Sequence, residues 1–146
     1  LTHPSALALA GPPAVPVRNK ALVIEAMTRL FQQRDAAAVE ALAEDYVQHN
    51  PHIPQGRAAL KALVESLSAE VWYEPGLVVA EGEFVAIHGR IRGWDDRPQV
   101  VVDLFRIADG RLAEHWDVLQ DEMAAEASTA GVAMFDPDES RRFRRA

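Results

Sequence analysis

The apolar positions of this chain repeat with a helical period in the first half and with a period of two in the second. Val23, Met27, Leu30 and Phe31 fall at i, i+4, i+7 and i+8, which predicts an amphipathic helix beginning near Val17. Asp35 is placed to cap a second, short helix through Ala43 that buries Val39 and Leu42. The stretch from Tyr46 to His52 reads as irregular, because Pro51 biases Asn50 away from helix and Pro54 and Gly56 follow. Leu60, Leu63, Val64 and Leu67 then give a third helix from Arg57 to Ala69. After Glu70 the alternation predicts strands over 71–73, 77–80, 84–92, 99–107 and 112–120, separated by Pro75-Gly76, Glu81-Gly82, Asp95-Asp96 and Asp109-Gly110. Three helices followed by a strand meander is an α+β pattern, with the helices packed on one face of a bent antiparallel sheet.

Composition narrows the picture. A chain of 146 residues with 49% hydrophobic and 25% charged side chains is one globular domain able to bury a core unaided. The absence of cysteine excludes a disulfide scaffold, a thiolate metal site and a thiol nucleophile. A net charge of −7, with Arg141, Arg142, Arg144 and Arg145 gathered at the end, argues against a nucleic-acid partner. No apolar run is long enough to span a membrane. The expected organisation is a flexible Pro/Ala-rich leader over 1–16, a folded domain over 17–127 and an extended tail over 128–146, with Val132, Met134 and Phe135 docking on the body. The SALALA stretch at Ser5–Ala10 reads as leader, since no basic segment precedes it; a cytoplasmic location is expected unless a signal preceded Leu1.

Hairpin geometry then places the polar residues. A two- or four-residue loop centred on Asp95-Asp96 pairs positions summing to 191, which sets His88 opposite Asp103. In the next hairpin, a three-residue loop at Ala108-Asp109-Gly110 with a glycine bulge sets Asp103 against His115, whereas a two-residue Asp-Gly turn sets it against Trp116. The bulged form makes His88, Asp103 and His115 neighbours, on a face shared with Phe84, Ala86, Val101, Phe105 and Asp117. The opposite face is also apolar, through Val85, Ile87, Ile91, Val102 and Leu104, and calls for a covering partner; a homodimer through that outer face is expected.

A carboxylate beside imidazoles on an apolar wall can act as a general acid or base, or can be a hydrogen-bonded pair that only holds the sheet. His49 and His52 have i, i+3 spacing, but Pro51 and Pro54 break the helix a metal site of that spacing needs, so no metal is expected. Nucleophile-elbow and phosphate-loop motifs are missing. Trp72, Tyr73 and Trp116 fit core packing or the lining of a ligand cavity.

The segments Tyr46-Val47-Gln48-His49-Asn50-Pro51, Val85-Ala86-Ile87-His88, Asp103-Leu104-Phe105-Arg106, Asp109-Gly110-Arg111-Leu112 and Glu114-His115-Trp116-Asp117-Val118 together resemble the SnoaL-like polyketide cyclase family of the NTF2-like superfamily. The resemblance spans about 17–120. It implies a cone-shaped α+β barrel with a deep apolar pocket, usually dimeric, and a cofactor-free intramolecular aldol condensation in which an Asp on a late strand works with a His on the preceding strand. Asp103 and His88 match those positions. His49 or Asn50 matches a substrate-holding polar residue after the second helix, and His115 and Asp117 fall where related epoxide hydrolases use a carboxylate. The expected function is therefore acid/base catalysis without a cofactor on a small apolar carbonyl compound: aldol cyclisation, isomerisation or dehydration. Asp103 and His88 are the expected catalytic pair, with Tyr46, His49, Asn50 and His115 on the substrate's polar parts and Trp72, Phe84, Phe105 and Trp116 as lining. The competing readings are a non-catalytic ligand-binding or interaction module and a hydrolase or hydratase using water activated by Asp and His.

Overall fold

A computed structural model describes residues 15–139 and 141. The leader through residue 14 and the terminal arginines beyond Arg141 lie outside the described residues. Helix α1 (Val15–Phe31) buries the predicted stripe of Val23, Met27, Leu30 and Phe31, with Ala26 beside it. It ends where Arg34 takes a positive φ of 51° and Arg29 forks onto Asp35 Oδ2 at 3.0 and 2.7 Å. Asp35 caps the next turns through Ala37 N, but these form a 3₁₀ helix (Ala36–Ala41) that stops short of the expected Ala43. From Leu42 the chain instead becomes a strand, β1 (Leu42–Gln48), followed by helix α2 (Arg57–Ser66).

The four remaining strands are β2 (Trp72–Glu81), β3 (Phe84–Arg92), β4 (Gln99–Ala108) and β5 (Arg111–Asp121), in spatial order β1-β5-β4-β3-β2. β1 runs parallel to β5 and the other pairs are antiparallel, so the sheet is mixed where an antiparallel one was expected. The architecture is α+β. The core lies between the helices and the inner sheet face, built from Val23, Leu30, Leu42, Leu60, Val64, Tyr73, Val85, Ile87, Phe105 and Leu112. Among the described residues no helix is long and apolar enough to cross a membrane.

Two details of register decide which side chains face that core. Ile91↔Gln99 is the last pair between β3 and β4, so seven residues, 92–98, lie between the paired positions, an odd number where an even one was expected. Because side chains alternate, this one-residue difference moves every β3 side chain to the other face relative to β4. His88 pairs with Val102 and Ile87 with Asp103. Thus Val85, Ile87 and Ile91 point inward, while Phe84, Ala86 and His88 join Val102 and Leu104 outside. In the second hairpin, Asp109 and Gly110 both have positive φ, 52° and 72°, the signature of a two-residue type I′ turn. The bulge is real but sits further along: pairing steps from Ile107↔Leu112 to Arg106↔Glu114, leaving Ala113 as the extra residue. Past it, Phe105 faces His115 and Asp103 faces Asp117.

After β5 the chain crosses the outer face. Phe135 is buried there, 4.7 Å beneath the Arg90 guanidinium, whereas Val132 stays exposed and Met134 accepts from Met123 N through its sulfur. A bulge between Pro75 and Val78 frees Leu77 N, which donates to Glu139 Oε1, and His88 Nδ1 bonds the same oxygen at 2.5 Å.

Candidate active site

A cleft opens between the helices and the inner sheet face. Met27, Leu30, Phe31, Leu60, Val101 and Phe105 make its wall apolar, and Tyr46, Gln48, Asn50, Tyr73, Asp103, His115 and Asp117 supply its polar atoms. The parallel pairing of Gln48 with His115 brings β1 into the site.

His115 lies at the centre of a chain of hydrogen bonds. Its Nε2 is 2.7 Å from Asp103 Oδ1 and its Nδ1 is 2.6 Å from Gln48 Oε1. Gln48 has its orientation set from both ends: Oε1 also accepts from Asn50 N at 3.0 Å, and Nε2 donates to Tyr46 Oη at 3.4 Å. An amide oxygen only accepts, so His115 Nδ1 carries a proton and Nε2 is the nitrogen turned to Asp103. A single proton then lies between Nε2 and Oδ1. Asn50 donates to both oxygens of Asp117, at 3.1 and 2.8 Å, which holds that carboxylate beside the pair.

Asp103 is 3% exposed, and its second oxygen, Oδ2, has no hydrogen-bond partner. Burial pushes its carboxyl above the ordinary range, with Asp117 adding to the rise, against the opposing hydrogen bond and charge of His115. Desolvation, together with the charge of Asp103, likewise holds the Tyr46 and Tyr73 hydroxyls firmly protonated. Asp103, His115 and Asp117 are residue types that take a divalent cation, and their donor atoms lie within 4.8 Å of one another. A cation there would have to displace the proton between Asp103 and His115, and the Asn50 amide already occupies Asp117.

Of the residues expected at the site, Asp103, His115, Tyr46, Asn50 and Phe105 surround this cleft. His88 does not: the β3 register puts it on the outer face against Phe135 and Glu139, so the expected cross-strand pair with Asp103 is corrected to Asp103 with His115. Phe84 follows His88 outward, 40% exposed. Trp72 is outward because its strand neighbour Tyr73 points in; it is 48% exposed. Trp116 follows the bulged residue by three and faces out, where its ring stacks on His49 at 4.8 Å. His49 is bound there to Glu114 Oε2 at 2.7 Å and does not reach the cleft. Gln48 and the inward hydroxyl of Tyr73 were not singled out as polar site groups, since their placement follows from the parallel β1–β5 pairing and the β2–β3 register.

The profile of the SnoaL-like domain matches residues 24–115. The chain belongs to the SnoaL-like family. No curated protein is found to match it. Among solved structures, this SnoaL-like chain is similar to a Kribbella flavida protein assigned provisionally as a ketosteroid isomerase, with 18% identity, 75% of this chain and 82% of that one covered, and a TM-score of 0.64. It is also similar to an NTF-2-like protein of unknown function from Burkholderia xenovorans, with 16% identity, coverage of 76% and 90%, and a TM-score of 0.63. An epoxide hydrolase of the LEH-like type from M. tuberculosis aligns at 22% identity, with coverage of 73% and 86% and a TM-score of 0.60. At these identities the likeness establishes the NTF2-like fold, and a fold shared by several chemistries leaves function to the site.

Proposed function

We propose that this SnoaL-like domain, taken as residues 17–127, is a cofactor-independent acid/base enzyme acting in the cytoplasm on a small apolar carbonyl compound. Asp103 is the base. The observation that carries this reading is Asp103 Oδ2: a buried carboxylate oxygen without a partner, on the wall of an apolar cleft, its other oxygen held by an imidazole of fixed tautomer. With the pair as carboxylate and imidazolium, Oδ2 takes a proton from the carbon next to the carbonyl. The electron pair of that C–H bond becomes the enolate, and Asp103 becomes the neutral acid. The His115 imidazolium then balances the enolate charge, while Gln48 keeps the ring from turning. Returning the proton to another carbon is isomerisation; carbon–carbon attack on a second carbonyl, with Asp103 protonating the new alkoxide, is aldol cyclisation; expulsion of a β-hydroxyl, which takes the proton from Asp103 and leaves as water, is dehydration. All three are redox-neutral.

The test is deuterium uptake at the α-carbon of a panel of small apolar ketones in D₂O, followed by NMR. Uptake accelerated by the wild type and abolished in Asp103→Asn supports the reading. Oxygen-18 entering product from labelled water, with no α-deuteration, would replace it with hydrolysis or hydration.

A second copy of the chain is the proposed partner for the outer sheet face. Val79, Ala86, Leu104 and Trp116 form one cross-strand row there and His88, Val102 and Val118 another, with Val79, Val102 and Val118 46%, 45% and 73% exposed. Sedimentation at micromolar concentration showing only monomer would sink this part.

A further inference from the structure

Two buried side-chain polar atoms among the described residues have no hydrogen-bond partner, Asp103 Oδ2 and Tyr73 Oη, and both residues line the same cleft. The fold has made room for that hydroxyl. Tyr73 is inaccessible to solvent and its backbone carbonyl is tied to α1 by Gln32 Nε2 at 2.6 Å. Its ring reaches across the neighbouring strand at Gly89, where a Cβ would lie 2.8 Å from Oη and 2.9 Å from Cε2. Gly89 is opposite Val101, two residues before Asp103 on the same face of β4, so the hydroxyl over Gly89 lies on the side of the sheet that carries the carboxylate. Tyr46, the other tyrosine of the cleft, differs in that its hydroxyl oxygen already accepts from Gln48 Nε2.

A buried hydroxyl left without a partner is costly, and a polar ligand atom that supplies the partner recovers the loss. We propose that Tyr73 O–H receives the substrate's carbonyl oxygen, so that the cleft selects apolar ketones whose acidic α-hydrogen, one carbon from that oxygen, meets Asp103 Oδ2. This rests on Asp103 being the base. As the C–H bond breaks, negative charge moves to the carbonyl oxygen, and the Tyr73 hydrogen bond strengthens at the moment it is needed. Tyr73 keeps its proton, and Asp103 alone exchanges one with carbon.

The probe is 2-tetralone, an enolisable ketone on a compact apolar frame, with ¹³C at the carbonyl. Deuterium uptake in D₂O and the carbonyl ¹³C shift on binding are recorded for the wild type, Tyr73→Phe and Asp103→Asn. Loss of one donor at a developing oxyanion predicts uptake slower by about 10²–10³-fold in Tyr73→Phe, with the carbonyl shift of the bound ketone lost. Because the hydroxyl bonds nothing in the protein, Tm is unchanged or raised, which separates this role from a structural one. 3-Fluorotyrosine at position 73, a stronger donor in the same shape, increases the carbonyl shift. Uptake in Tyr73→Phe within threefold of wild type, with Asp103→Asn inactive, overturns the proposal and leaves Asp103 as base. Wild type that gives no acceleration overturns the Asp103 reading itself.

Discussion

Replacing Gln48 by Met removes an acceptor while keeping most of the side-chain volume. Gln48 Oε1 serves two buried donors, His115 Nδ1 at 2.6 Å and Asn50 N at 3.0 Å, and Gln48 itself is 5% exposed. A buried donor left without a partner costs about 1–3 kcal/mol, so two of them cost roughly 2–6 kcal/mol, with the lower end applying where water from the cleft takes over one bond. Against a total stability of about 5–15 kcal/mol for a domain, this is a large share. Urea unfolding of wild type and Gln48→Met measures it. The ring nitrogen shifts of His115, from ¹⁵N–¹H correlation, report the tautomer: the proton resides on Nδ1 in the wild type and redistributes in the variant, and turnover falls with it. Gln48→Glu retains an acceptor at the same place, so Nδ1 stays protonated. A Gln48→Met protein within about 0.5 kcal/mol of wild type, or a wild-type His115 with Nδ1 bare, refutes the orienting role assigned to Gln48.

Asp103 has a raised carboxyl, so its protonated form contributes stability that is complete below the ordinary value near 3.8 and is lost as pH rises through the higher folded value; Asp103→Asn removes that slope from the difference in Tm between acid and neutral pH. The same rise places the acid limb of the rate profile above 3.8, since only the ionised carboxylate accepts a proton; a limb at or below that value contradicts the burial of Asp103. Gly89→Ala drives a methyl to 2.8 Å from Tyr73 Oη and 2.9 Å from Glu74 O, an overpacking of about 1–3 kcal/mol that Tyr73→Phe partly relieves, measurable as coupling in a double-mutant cycle by urea unfolding. Phe135→Ala releases the segment after β5 from the outer face, seen as faster amide exchange at Glu139 and faster proteolysis near 131, with the Asp103–His115 pair unaffected.

The helix stripe of Val23, Met27, Leu30 and Phe31 and the strands β3, β4 and β5 were legible because each is decided by local alternation, whereas the two short strands expected at 71–73 and 77–80 are one, β2, with Pro75-Gly76 absorbed in its bulge rather than ending it. β1 was not. Glu44 and Asp45 are exposed and interrupt the alternation, and the partner that makes the segment a strand lies at 112–115, contacts that no local window contains. Asp103 and His115 were correctly expected to be neighbours, although the route differs, through a bulge at Ala113 rather than at the turn. His88 was misplaced by loop length alone. Asp95-Asp96 has the look of a tight turn, but the excursion runs over 92–98, with Gly93 at φ 78° packed against the backbone of Glu70. Face assignments carried across a hairpin are thus only as good as the parity of the loop, and a seven-residue loop reverses what a two- or four-residue loop gives. Trp72, Phe84 and Trp116 look like cavity lining by composition, and the same parity and bulge put them outside.

Ala113 makes no contribution to the chemistry by its own side chain, yet it decides what the cleft is made of. Were Ala113 instead paired with Arg106, so that the ladder ran on unbroken from the Asp109-Gly110 turn, Trp116 would come opposite Asp103 and His115 and Asp117 would turn to solvent. Every residue type would be unchanged while a proton-handling wall became an aromatic one. In this scaffold the step between a reactive cleft and an inert binding pocket can therefore be whether one residue is bulged out of the ladder or paired within it, so that relatives of nearly identical composition can differ in whether they do chemistry at all.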